Sequence, residues 1–371
     1  KVTHDAAYVI EQLPTPTEDE IKDTFETNVF FSDEDGVGTW GAEAKEWQRP
    51  EGWLRLINRF NQMSHDTNLT KSMRMHTCCG EYNRIFLPLD AQHEGLPPLH
   101  KRDGTPVAHH DLVFRVTRPD RRHGGCYRYK TLRSTIAEMW YTLHAARHGL
   151  APICYAVVIF YGVTAYDSDS DLRPQKLYGA LYVMQRGKAN LQDTLFARVE
   201  ETRLSAEKSG GSSERELSRT LHRVGRLSAL KMLPVISRQA KLGIVNFDSK
   251  PANIVVGDGG RPYAIDFDTG MYAIRAGSEN TAQWAANLLV NLTLLTAHVR
   301  RFCHADIARG WAAAVRQLVL ELVVAARGCA WLLAAKARSC NEFVELRGSS
   351  DDVCQRRFEM ITALYFGHVD G

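Results

Sequence analysis

The sequence predicts an α+β protein in two lobes, a small β-rich N-lobe and a larger helical C-lobe, preceded by an N-terminal extension. Strand-type segments at 112–116, 153–160 and 177–184 crowd into the first half of the chain, around one helix-period stretch from about Leu132 to His148. From Leu191 onward the pattern turns helical, with a long apolar-periodic run at 217–242 and others after Thr281. Inside that helical half sits a strand–turn–strand segment, 253–265, with acids at both mouths. The 371 residues suffice for two lobes with a sizeable core. The boundaries read as 1–75 for the extension, 76–187 for the N-lobe and 188–371 for the C-lobe.

Composition narrows the class. The chain is 44% hydrophobic and 24% charged with a formal net charge of +3, the balance of a globular domain. The clusters Arg118, Arg121, Arg122, His123 and Arg300, Arg301 are short and read as solvated faces, so nucleic-acid binding is not indicated. The most apolar long stretch, 311–333, is broken by Arg316, Glu321 and Arg327, which makes it a core helix pair and not a membrane span. Eight cysteines are spread along the chain without a C-x-x-C spacing, and His76, Cys78 and Cys79 lack the second ligand pair of a zinc set. Four cysteines follow residue 300. Disulfides in a secreted protein and buried thiols in a cytoplasmic one both remain open. The chain begins at Lys1 without Met, so an upstream segment, a signal peptide among the options, is expected to have preceded it.

The elements follow in order. Pro14 and Pro16 lead into Thr17, Glu18, Asp19 and Glu20, a helix-start signature. Trp53, Leu54, Leu56, Ile57 and Phe60, with Trp47 nearby, predict an amphipathic helix that braces the small lobe. The G-x-G-x-x-G match at 36–41 stands alone and far from any suitable strand, and reads as a surface turn. A turn-rich insertion at 94–107 precedes the strand 112–116, in which Val113 and Arg115 share one face. Gly149 and Pro152 stop the helix that carries Glu138. The segment 191–199 opens the helical half, a polar Gly-Ser loop is expected at 205–214, and Pro234 is expected to interrupt the long helix. No internal repeat is present.

The chemistry concentrates at Asn246-Phe247-Asp248-Ser249-Lys250-Pro251-Ala252-Asn253, followed after a hairpin by Asp266-Phe267-Asp268. An acid, a lysine and an amide in one loop, with a second acid delivered by the next strand, can hold a divalent cation and a phosphate chain. The pattern resembles the catalytic and metal loops of protein kinases. The fold it implies is a two-lobed protein-kinase-like one, with the resemblance running over residues 76–371 and its specific part at 246–268. By that resemblance, Asp248 would accept the substrate hydroxyl proton and Lys250 would steady the γ-phosphate of ATP. Asn253 and Asp266 would hold Mg²⁺, with Asp268 a further carboxylate near the metal. Arg115 would replace the usual nucleotide lysine and pair with Glu138, with Arg118 and Lys130 as competitors for that place. Met184 would form the back wall of the nucleotide pocket, and Gln185 and Gly187 the hinge.

Departures from the family pattern mark an atypical member. Cys79 to Phe86 resembles the end of a kinase glycine loop but keeps one glycine, Gly80. Asn246 and Phe247 stand where histidine and arginine are usual, and no Ala-Pro-Glu follows Asp268. No activation-loop phosphorylation switch is therefore expected. Such a chain is similar to the secreted coccidian kinases that lack a glycine loop and, secondly, to divergent herpesvirus kinases. The resemblance implies a Mg-ATP-dependent serine/threonine protein kinase acting on a protein substrate. A pseudokinase that binds or scaffolds a partner is the alternative, and a choline- or aminoglycoside-type small-molecule kinase the second alternative.

Overall fold

The computed structural model describes residues 27–31, 47, 50–64, 66–79, 83–99, 105–117, 129–165, 175–208, 214–246, 248–268, 270–272 and 281–325. The helix start at 17–20, the 36–41 glycines, Gly80, Arg118, Phe247, Cys126, Cys329, Cys340 and Cys354 lie outside the described residues. The architecture is α+β, as the sequence predicts, in two compact units that meet in sequence between Arg186 and Gly187.

The unit up to Arg186 is built on a six-stranded antiparallel sheet of order β1-β5-β6-β4-β3-β2. Its strands are β1 (Thr27–Phe31), β2 (Met75–Cys79), β3 (Asn83–Pro88), β4 (Leu112–Thr117), β5 (Cys154–Ala165) and β6 (Gln175–Gln185). Side-chain alternation splits the sheet into two faces. Phe86, Leu112, Phe114, Val116, Leu181 and Val183 share a core with helix α1 (Pro50–Met63). Val157, Ile159, Tyr182 and Met184 share another with helix α3 (Leu132–Arg147). Strands covered on both faces must be apolar at every position, and that is why 153–160 reads as an unbroken hydrophobic run.

Helix α1 carries Trp53, Leu56, Ile57, Phe60 and Met63 at helical spacing, all buried. Phe60 stacks on Phe86 with ring centroids 4.3 Å apart and meets Phe114 at 5.4 Å. The helix thus shares the core of the sheet. A short helix, α2 (Thr67–Ser72), is capped by Asp66, which accepts from the N–H groups of Asn68 and Leu69. Thr131 caps α3 through the N–H of Ser134.

The unit from Gly187 is mainly helical: α4 (Leu191–Lys208), α5 (Glu214–Lys241), α6 (Thr281–Phe302) and α7 (Ala305–Ala325). Two expectations are corrected here. Pro234 lies inside α5 without breaking it. The carbonyl that loses its donor belongs to Leu230, on the solvent side of the helix, while Met232, Val235 and Ile236 hold the other side in the core. The polar loop expected from Ser205 begins later, because α4 runs on to Lys208. Arg203 pairs with Glu200 and Glu207 one turn either side, which supports that last stretch of helix.

Helices α5 and α7 cross backbone to backbone. A Cβ on Gly225 would stand 2.0 Å from the Ile307 carbonyl oxygen, and one on Gly310 would stand 1.9 Å from that of His222. Only glycine fits at either position. Trp311 lies within α7, fully buried. No helix among the described residues is long and apolar enough to cross a membrane. Cys154 and Cys303 carry free thiols.

Candidate functional site

The predicted residues fall into two clusters, one in each unit. The first is built on short strands of the second unit: β7 (Ala189–Asn190), β8 (Ile244–Asn246), β9 (Ile254–Val256), β10 (Pro262–Ala264) and β11 (Gly270–Tyr272). Strands β9 and β10 form the antiparallel hairpin the sequence implied, turning at 258–260, with β7 on the far side of β9. Strand β11 returns beside β8, pairing Gly270 with Asn246.

Asn246 ends β8 at 2% exposure and connects three segments. Its amide nitrogen donates to the Asp266 carbonyl at 2.9 Å, and its amide oxygen accepts from the Asp248 N–H at 3.1 Å. Its carbonyl accepts from the Ser249 hydroxyl at 2.7 Å. The strand itself is fastened from behind, where Asn291 of α6 donates to the Ile244 carbonyl at 3.0 Å and accepts from Gln239 of α5 at 3.3 Å.

Asp248 and its neighbours converge. The Lys250 ammonium lies 2.6 Å from Asp248 Oδ2, and Asn253 Nδ2 donates to the same oxygen at 2.8 Å and to the Asp248 carbonyl at 3.0 Å. Asn253 closes a 3₁₀ turn, Pro251–Asn253, and is 7% exposed. Spending its NH₂ on Asp248 orients its amide oxygen away from that carboxylate. The Ile265 N–H donates to the Asn253 carbonyl at 2.8 Å, which fixes the next residue, Asp266, beside the turn. Asp266 has φ +64°, a left-handed conformation uncommon outside glycine. Phe267 is buried at 1% exposure, and Asp268 faces solvent.

The second cluster lies in the first unit. Arg115 on β4 forms an ion pair with Glu138 Oε1 on α3, and the Lys130 ammonium lies 3.0 Å from Oε2. Arg115 and Glu138 are 9% and 5% exposed. Burial pushes the Glu138 carboxyl up, but Arg115 and Lys130 together outweigh it and hold the group below the ordinary carboxylate value. The Arg115 guanidinium lies 4.9 Å from the centre of the Tyr182 ring. With the Asn83 amide turned oxygen-inward, that oxygen accepts from Arg115 Nε and Nη2, both at 3.1 Å. Close by, Cys154 is fully buried and its thiol is pushed up to about 12 by burial, an inert group.

Met184 and Gln185 end β6. Met184 packs in the core under α3. The N–H groups of Gln185 and Arg186, in the expected hinge, donate to the Ile153 and Asp111 carbonyls, and that of Lys188 just beyond it donates to the Val256 carbonyl, each at 2.7 Å. No bond to the Gly187 N–H is found among the described residues. A Cβ at Gly187 would meet the Val255 side chain at 2.9 Å.

Asn246 as a two-sided brace and Asn83 and Tyr182 as the walls around Arg115 were not assigned by sequence reasoning. Asn246 had a signal: an asparagine two residues before an aspartate at a strand end fits an Asx turn. Asn83 and Tyr182 had none, since strand pairing alone brings them to Arg115.

No family model and no curated protein sequence matches the chain. Among solved structures, the chain is similar to the ROP18 kinase domain in complex with AMP-PNP and sucrose, at 14% identity and a TM-score of 0.29, covering 67% of this chain and 80% of that one. It is also similar to WaaP in complex with acyl carrier protein, at 10% identity and a TM-score of 0.28, covering 74% and 92% respectively. At these scores the likenesses carry no argument, and the functional reading stands on the chain's own geometry.

Proposed function

We propose that the protein is an atypical Mg-ATP-dependent phosphotransferase of the serine/threonine protein kinase type. The observation that carries this reading is that Lys250 and the Asn253 amide meet on one Asp248 carboxylate oxygen while the Asn246 amide ties the Asp248 N–H to the Asp266 carbonyl. Purely structural capping acids have no need of a lysine and an amide on one carboxylate oxygen, with a second acid tied in from the next strand.

The residues fit a magnesium ion better than a metal held by protein alone. No group of three or more His, Cys, Asp and Glu placed to hold a metal is found among the described residues. Mg²⁺ is commonly bound through one or two carboxylates, with phosphate and water oxygens completing the octahedron. Asp266 and the Asn253 amide oxygen would hold it, with Asp268 available from the solvent side. Bound MgATP would supply the transferable phosphoryl group and neutralise part of its charge.

Asp248 would then orient the acceptor hydroxyl and take its proton. Lys250, already seated on Asp248, would offset negative charge gathering on the transferred group. Asn246 would hold the two acid-bearing segments in register. Phosphate transfer to a generic protein substrate, measured with radiolabelled ATP, is expected for the wild type and lost in Asp248→Asn. Transfer confined to a small alcohol or amine would move the protein to the small-molecule kinases.

A specific observation favours the pseudokinase as second reading: the Gln185 and Arg186 N–H groups of the expected hinge are engaged within the protein. A thermal-shift titration separates the two. Stabilisation by ATP that needs Mg²⁺, together with transfer, supports the enzyme, and binding without transfer supports the pseudokinase.

A further inference from the structure

We propose that the exposed face of α5 is a docking surface for a membrane of anionic lipid, on which the helix lies flat at the level of the headgroups. The proposal is independent of the phosphotransferase reading and uses the unit from Gly187 alone.

The charge of the helix is the first argument. From Leu217 to Leu242 the chain holds no aspartate or glutamate, although acids and bases nearly balance over the whole protein at 43 and 46. The acids of α5, Glu214 and Glu216, are confined to its first turn. Beyond them Arg219, Arg223, Arg226, Lys231, Arg238 and Lys241 are all exposed. Together with exposed Leu227, Leu230 and Pro234 they fall inside an arc of about 140° at 3.6 residues per turn. A solvated helix face ordinarily mixes both signs of charge, and this one keeps a single sign over about six turns.

Neighbouring acids do not neutralise it. Helix α4 packs against α5. It engages Glu200 and Glu207 with Arg203 and Glu201 with Arg198, while Asp193 accepts from the Asn190 amide. Asp306 of α7 is taken by Ser218 and Arg309. None of the six α5 cations forms an ion pair among the described residues.

The apolar side chains on this face choose the partner. Leu227 and Leu230 are 49% and 48% exposed, and Pro234 follows one turn on. An apolar stripe set among Arg and Lys is the pattern of a helix lying in a membrane interface. The cations reach lipid phosphates and carboxylates while the leucines enter the acyl boundary. The Leu230 carbonyl, which has lost its donor to Pro234, needs water, and that holds the helix at headgroup depth. Single-stranded nucleic acid is matched less well, because residues 217–242 include no aromatic side chain on which bases could stack. A folded acidic partner would need a groove shaped to this ridge, whereas a lipid surface conforms to it.

The test is co-sedimentation of the full chain with vesicles of phosphatidylcholine alone and of phosphatidylcholine and phosphatidylserine in equal amounts. Wild type is expected on the mixed vesicles, absent from the neutral ones and released by high salt. Arg223→Gln/Arg226→Gln/Lys231→Gln should lower partitioning about a hundredfold. Leu227→Ser/Leu230→Ser should lower it about tenfold and leave the salt dependence unchanged. Both variants alter exposed side chains and should melt within a few degrees of wild type. Arg300→Gln/Arg301→Gln, a basic pair on α6, should stay within about twofold of wild type. Wild type that ignores the mixed vesicles overturns the proposal, and if it binds polyglutamate instead, the face belongs to an acidic protein. A loss in the α6 pair as large as in the α5 triple also overturns it, as does a leucine pair without effect, since either marks unspecific charge attraction.

Discussion

The Glu138 cluster and the Asp248 cluster use the same kinds of side chain in opposite ways. Glu138 is buried between two cations on a six-stranded sheet and a capped helix. Asp248 is 28% exposed at its side chain and sits in the loop between two strands of three residues, positioned by asparagine amides and a 3₁₀ turn. In the first, charge is locked into the packing, and altering it disturbs the fold. In the second, charge is held at the surface by local hydrogen bonds, and altering it leaves the core intact. A group that must exchange protons and phosphate with solvent is better placed in the second setting.

The largest stability loss is expected when the buried cluster loses its anion. Glu138→Ala takes the shared carboxylate from Arg115 and Lys130 and should cost about 3–5 kcal/mol in urea denaturation. An Asp248→Asn variant should unfold within about 1 kcal/mol of wild type, although transfer falls by about 10²–10⁴-fold. Equal stability losses in the two variants would erase the contrast. Asn246→Ala tests the bracing amide between them, with an expected loss of about 1–3 kcal/mol from two orphaned partners and a fall in kcat larger than any change in KM.

Acid sharpens the comparison further. The Glu138 carboxyl lies below its ordinary value of 4.5 in the folded state, so its contribution is complete above that value and is lost as pH falls through the folded pKa. His144, further along α3, is lowered from 6.5 to about 4, chiefly by burial, then by His148 and Arg147. Unfolded chains therefore take up a proton that the folded ring refuses, and stability should decline from pH 6.5 down to about 4, with the Glu138 loss joining below 4.5. A His144→Gln variant should flatten the upper part of that decline in denaturation at stepped pH, and Glu138→Gln the lower part. The smallest effect is expected at Asp268, where replacement of the exposed carboxylate by Asn should change stability by less than about 0.5 kcal/mol.

The hairpin cluster was largely legible in the sequence because its members are close along the chain and each residue type is chemically distinctive. Asp248, Lys250, Asn253 and Asp266 come together through one turn, so spacing nearly determines geometry. The Arg115–Glu138 pairing was legible only as the partner set of a strand and a helix, and the share taken by Lys130 depended on how the chain between them returns to β6 at Tyr178. In the fold, alternation located β4 to within one residue, and apolar runs located β5 and β6 to within about five. Pro234 misled because local propensity carries no information about which side of α5 faces water.

Asp266 has one more consequence. Its left-handed backbone costs an ordinary residue roughly 1 kcal/mol or more, a cost glycine does not meet. Asp266→Gly therefore relaxes the backbone while deleting the carboxylate, and Asp266→Ala deletes the carboxylate and keeps the strain. If the glycine variant proves hardier than the natural protein yet inert, the aspartate has been retained by selection against the grain of folding, and this loop marks where usefulness outranked robustness in this chain's history.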